Sequence, residues 1–231
     1  MILDLLFPEQ CIWCQSSTSY ICSSCKKKLK PHPEICPLTH KDSIWYAVRQ
    51  DLLTQESPLD GCIVLFRFDP LIKKLITQLK YDHRSHIAWF LWKRLSLAIT
   101  SHNIFSSLLR QNSKLMVTYV PSHRIRHYIT KWYNQSQLLA DSLCKELWFP
   151  LPVQMCKKTK NTHSQVGMTR QERKNNLSDA FHLTAPIPEW AVILIVDDVL
   201  TSGATMIELA KTIKQEQQLC TVRGVCVARN G

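Results

Sequence analysis

The sequence predicts an α/β fold: a doubly wound, mostly parallel sheet behind a small cysteine-rich N-terminal module. Three observations carry this. Strand-like apolar runs alternate with helical patterns from residue 61 onward. Val192–Val196 is a continuous apolar run, the mark of a central parallel strand. Cys11, Cys14, Cys22, Cys25 and Cys36 crowd the first 36 residues, whereas the other cysteines are scattered.

The elements follow in order. Residues 1–40 are rich in Cys, Ser, Pro and Lys and short on periodic structure. They read as a module that an apolar core alone would not hold. Residues 41–60 read as a connector, and 61–231 as the α/β domain. Cys62–Phe68 is a strand pattern. Asp69-Pro70 opens a helix, with Asp69 as N-cap and Pro70 at the first helical position. Leu71, Ile72, Leu75, Ile76 and Leu79 then recur at helical spacing. A second helical pattern covers about residues 85–98. Leu115–Val120 is a strand ended by Pro121, residues 134–147 are helical, and Val153–Cys156 is a short strand. The basic stretch 157–176 reads as a long loop of the functional kind. Ala204–Lys214 is a helix and Thr221–Ala228 the last strand.

Composition limits the function classes. The 231 residues carry 45% hydrophobic residues, so the chain is globular. No apolar run approaches the length of a transmembrane helix. The start has an early Asp4 and no basic region, so it does not read as a secretory signal, and a cytoplasmic chain is expected. In that compartment the ten cysteines read as thiols or metal ligands, not as a disulfide framework. The formal net charge of +11 favours polyanionic partners. It is concentrated in Lys26, Lys27, Lys28 and Lys30, in Lys114, Arg124, Arg126 and Lys131, and in Lys157–Lys174.

Two patterns carry chemistry. Cys11-x2-Cys14-x7-Cys22-x2-Cys25 supplies four thiolates in two turns, a tetrahedral set for a structural Zn2+. Free thiols or a redox pair are the alternatives, but a redox Cys-x-x-Cys normally opens a helix beside a βαβ unit. Cys36 and His40 form a weaker ligand-like pair. The second pattern is Asp197-Asp198 after the buried strand, followed by Thr201, Ser202, Gly203, Ala204 and Thr205. Ligands of open α/β sheets sit outside the carboxyl ends of the strands. Backbone N–H groups at the following helix start, with the hydroxyls of Thr201, Ser202 and Thr205, suit a phosphate. Gly203 allows a tight turn and close backbone approach. The two carboxylates suit sugar hydroxyls or a hard cation. Together they describe a site for a phosphorylated ribose. No Walker or dinucleotide glycine motif occurs.

At Val192–Thr205 the chain resembles the type I phosphoribosyltransferase family, whose ligand is phosphoribosyl diphosphate (PRPP). The resemblance extends to the ComF family of competence proteins. Leu79-Lys80-Tyr81, Tyr119-Val120-Pro121 and Tyr133-Asn134-Gln135 match ordered elements of that family. So do Thr162, Gln165, Arg170, Arg173, Asn176, Ala180 and Phe181. Lys131-Trp132-Tyr133 stands where the family has Arg-Gly-Phe, His83 where it has Gly, and Cys36 where it has a second Cys pair. The resemblance implies PRPP binding at Asp197, Asp198, Val199, Thr201, Ser202, Gly203, Ala204 and Thr205, with Mg2+. It implies a diphosphate-lining turn at Pro121, Ser122 and His123. It also implies assistance to single-stranded DNA in natural transformation, with other competence proteins such as a helicase-like ATPase as partners. Arg124, Arg126, Lys131, Trp132 and Tyr133, a basic stretch with aromatics, are the nucleic-acid candidates. An active phosphoribosyltransferase is the other reading; the sequence shows no acceptor pocket and identifies no catalytic residue.

Overall fold

The computed structural model describes residues 10–16, 19–81, 90–91, 93–94, 96–97, 100, 114–121, 134–159 and 180–230. Its centre is a four-stranded sheet in the order β1-β6-β5-β2. The strands are β1 (Gly61–Arg67), β2 (Leu115–Tyr119), β5 (Val192–Leu200) and β6 (Thr221–Arg229). Every pairing in this sheet is parallel, so all four carboxyl ends lie along one edge. A short antiparallel pair, β3 (Cys156–Lys158) with β4 (Phe181–Leu183), stands apart from it.

Alternation along the strands divides the core in two. Val192, Leu194 and Val196 of β5 face one side, with Ile63, Leu65, Val117, Val225 and Val227. Helices α2 (Pro70–Tyr81) and α3 (Gln135–Leu147) cover that side through Leu75, Leu79, Leu139 and Leu143. Ile193 and Ile195 face the other side, where α4 (Ala204–Glu216) packs through Met206, Leu209, Ala210 and Ile213. Both faces of β5 are therefore dry, which is why its sequence is apolar without alternation. The expected α/β architecture and mostly parallel sheet are present.

Element boundaries have local causes. Asp69 Oδ1 accepts the Ile72 N–H at 2.8 Å, capping α2 as the Asp-Pro pair predicts. Asn134 caps α3 by accepting the Ser136 N–H, and Trp148 ends it in the left-handed region at φ 56°. Beyond the sequence reading, β5 does not stop at Val196. Its pairing with β6 continues through Asp197 to Leu200 opposite Arg229, so the acidic pair sits within the strand end. The strand foreseen at Val153–Cys156 lies at Cys156–Lys158, and its partner β4 was not foreseen.

The cysteine-rich segment is built onto the sheet. Lys30–His32 runs along the outer side of β1: the His32 N–H reaches Leu65 O at 2.9 Å, and the Arg67 N–H reaches Lys30 O at 3.1 Å. Ile12, Ile21, Cys22 and Cys25 share one continuous core with α2 and α3. Residues 41–60 contain two short 3-10 turns, and Val48 joins Cys36 and Leu38 in a small third core against Leu53 and Ile207.

Candidate metal centre and strand-edge site

The four N-terminal cysteines converge. One sulfur from each of Cys11, Cys14, Cys22 and Cys25 lies within 4.8 Å of all the others. A tetrahedral thiolate shell with Zn–S near 2.3 Å needs sulfurs about 3.8 Å apart, so the spacing fits such an ion. The backbone makes this possible in two turns. The Gln15 N–H closes on Cys11 O at 2.8 Å, with Gln15 at φ 62°, and the Lys26 N–H closes on Cys22 O at 2.9 Å in the single helical turn α1 (Ser23–Lys26). The Cys22 N–H approaches Cys11 Sγ at 3.5 Å, and Cys14 Sγ stands 3.5 Å from Cys22 Sγ.

The electrostatics agree with a cation site. Burial raises the Cys11 thiol, but backbone N–H donors from Cys14, Cys22 and Trp13 outweigh it and bring it down to about 6. Burial and the neighbouring sulfurs push Cys25 up to about 12. Four sulfurs this close cannot all ionise without a cation between them. Among the described residues this is the one group of three or more His, Cys, Asp or Glu placed to hold a metal. The weaker Cys36–His40 pair is otherwise engaged. Cys36 Sγ accepts the Thr39 and Arg49 N–H groups, both at 3.3 Å, and His40 Nε2 lies 2.6 Å from Arg229 Nη2.

The second site is the carboxyl edge of the sheet. Asp197 and Asp198 are half-buried there. The Asp197 carboxylate is fixed by two donors to its Oδ1, the Ser136 hydroxyl at 2.8 Å and the Asp198 N–H at 2.9 Å. Ser136 is held in turn by the Asn134 cap, whose Nδ2 donates to Val120 O at 2.9 Å. The end of β2, the start of α3 and the end of β5 are thereby locked together. Pro121 lies buried just beyond β2. Asn134 was legible as part of a family element. Ser136 was missed, because nothing in its local pattern marks it as the partner of a carboxylate 61 positions away.

Ser136→Ala is expected to lower unfolding stability by about 1.5–3 kcal/mol, the usual loss for a hydrogen bond to a charged group. A urea titration with an unchanged midpoint would show that Asp197 is held by other means.

Thr201 and Ser202 follow, half-buried, and Gly203 then adopts φ 78° as the residue capping α4. The structure adds a reason for glycine here. A Cβ at 203 would lie 3.0 Å from Leu38 Cδ2, so the N-terminal segment packs directly on the loop. The remaining site residues of the sequence reading (Ser122, His123, Arg124, Arg126, Lys131, Trp132 and Tyr133) lie outside the described residues. So do Thr162, Gln165, Arg170, Arg173 and Asn176.

With this geometry in hand, the comparisons are informative. No protein-family model matches the chain. Competence protein F of Haemophilus influenzae is 27% identical over 216 residues, covering 90% of this chain and 92% of that protein. This chain is similar along nearly its whole length to Competence protein F. The DNA utilization protein YhgH of Shigella flexneri is 29% identical over 214 residues, covering 90% of each chain. The protein of the same name from Escherichia coli K12 is 29% identical over 198 residues, 84% of this chain and 83% of that one. No helix among the described residues is long and apolar enough to cross a membrane.

Proposed function

We propose that this chain serves DNA utilization of the competence kind, handling single-stranded DNA in the cytoplasm, and that its α/β domain binds PRPP. The carrying observation is the match to Competence protein F and the YhgH proteins along nine tenths of the chain. The net charge of +11 supports a polyanionic partner. A helicase-like ATPase is the partner that this role implies. We read residues 61–231 as a domain of the type I phosphoribosyltransferase kind. The parallel sheet, with helices on both faces and an acidic loop at its carboxyl edge, supports that reading. Residues 1–40 are its zinc module, joined through 41–60. Zinc is the ion that suits four cysteine sulfurs in a closed, structural shell.

In this reading Asp197 and Asp198 take the ribose hydroxyls and Mg2+. Val199–Thr205 with its hydroxyls takes the 5′-phosphate, and Pro121, Ser122 and His123 line the diphosphate side. Arg124, Arg126, Lys131, Trp132 and Tyr133 are held as nucleic-acid contacts. The deciding experiment is parallel titration with PRPP–Mg2+ by calorimetry and with a single-stranded oligonucleotide at several salt concentrations. Asp198→Ala should weaken PRPP binding at least tenfold and leave DNA binding unchanged. Undiminished PRPP affinity in Asp198→Ala would remove the ligand assignment.

The acidic pair beside a phosphate-type loop favours one second reading, a working phosphoribosyltransferase. Such a reaction needs positioning and electrostatic stabilisation of a cation-like ribose more than a dedicated acid or base. Base-dependent release of diphosphate from PRPP, with no oligonucleotide binding at low salt, would favour it over DNA handling.

A further inference from the structure

Two cation–ring contacts tie two further stretches of sequence to the cysteine turns. Trp13 lies in the turn between Cys11 and Cys14 and is 38% exposed. Lys74 of α2 places its ammonium 5.9 Å from the Trp13 ring centre. Lys26, in the second cysteine turn, stands 5.7 Å from the Phe90 ring. Phe90 and Arg94 are both helical. Lys27, Lys28, Lys73, Lys74 and Arg94 are all exposed. The lysine ion pairs Lys211–Glu208 and Lys214–Asp60 lie elsewhere. The apolar side of α2 is spent on the core through Leu71, Ile72, Leu75 and Ile76, which forces Lys73 and Lys74 outward.

We infer that the cysteine turns, α2, Phe90 and Arg94 together form a ridge that is a binding face for single-stranded nucleic acid. Trp13 is its base-stacking platform, and the surrounding lysines and Arg94 are its phosphate contacts. The inference rests on the DNA-handling reading and deepens it, by moving the contact surface to the cysteine module. Single strands are held by a row of cations tracking the backbone and by aromatic rings that take unstacked bases. The ridge supplies both, with the Lys74 ammonium over the Trp13 ring, within reach of the phosphate of a nucleotide held there. A membrane surface would need a wider apolar face to insert. Among the described residues the four most exposed large apolar side chains, Trp148, Ile44, Leu151 and Trp190, are not among those that form the ridge. The cysteine cluster then has a role besides folding: it sets the angle at which Trp13 is shown.

The test is fluorescence anisotropy of a labelled oligo-deoxythymidine with the full chain across a salt series. Lys73→Gln with Lys74→Gln should weaken binding at least tenfold and flatten the salt slope by about 1.4, since each phosphate contact on a single strand contributes about 0.7. Trp13→Ala should weaken binding about tenfold with the slope unchanged, and Trp13→Phe should restore most of it. Lys41→Gln with Lys145→Gln removes the same charge from exposed positions elsewhere and should change neither quantity. If Trp13→Ala loses its metal, the lysine pair and Trp13→Phe still decide the matter. Wild-type binding that both Trp13→Phe and the α2 lysine pair leave untouched, with Trp13→Ala also normal or explained by metal loss, would overturn the ridge and leave the DNA reading standing. No oligonucleotide binding at low salt would overturn both. Binding to phosphatidylserine vesicles without oligonucleotide binding would replace the ridge with a membrane surface.

Discussion

Cys22→Ser is expected to abolish stoichiometric zinc and to release the N-terminal segment from the sheet. The wild-type chain, purified without chelator, should carry about one zinc; the variant should carry a small fraction of that. The effect is large because a structural four-sulfur site contributes on the order of 10–16 kcal/mol of apparent binding energy, all of it available only to the folded module. The consequence extends beyond the metal. Ile12 and Ile21 share a core with α2, and each contributes roughly 1.5–3 kcal/mol by burial. Hydrogen exchange should therefore show lost protection through residues 10–32 and faster exchange on the covered side of α2. The core on the opposite face, around Ile193, Ile195, Met206 and Ile213, shares none of these contacts, so β5, β6 and α4 should stay protected. Metal analysis that finds no zinc in the wild-type chain would remove the assignment. Global unfolding of Cys22→Ser would show that the two cores do not stand separately.

Gly203→Val has the second-largest expected effect, and two causes act together. At φ 78° a side chain costs about 1–2 kcal/mol, more when branched at Cβ. The added Cβ would also meet Leu38 Cδ2 at 3.0 Å before its methyl groups are placed, and overpacking of this kind costs about 1–3 kcal/mol. The unfolding midpoint should fall accordingly. The loop from Thr201 to Ala204 must shift to relieve the clash, so PRPP affinity should drop more than tenfold by calorimetry. Leu38→Ala makes room without touching the loop and should restore part of the stability in the double variant. A folded Gly203→Val chain that binds PRPP as tightly as the wild type would show that the loop is not the phosphate cradle.

The sequence by itself determined the elements whose signals are local. Five consecutive apolar residues at Val192–Val196 require a strand buried on both faces. Asp69-Pro70 followed by apolar residues at helical spacing requires a capped helix. Two Cys-x-x-Cys turns seven residues apart leave few ways to arrange four sulfurs. Each of these rests on hydrogen bonds, side-chain periods or ligand spacings closed within a short local stretch of sequence. Only the tertiary structure decided what those elements meet. Ser136 reaches Asp197 across 61 positions, and His40 reaches Arg229 across 189. Leu38 presses on Gly203, and the cysteine turns set Trp13 beside Lys74 and Lys26 beside Phe90. No periodicity encodes such pairs. A side chain's distant partner is fixed by how helices and strands stack to bury their apolar faces, and that stacking exists only once the whole chain has folded.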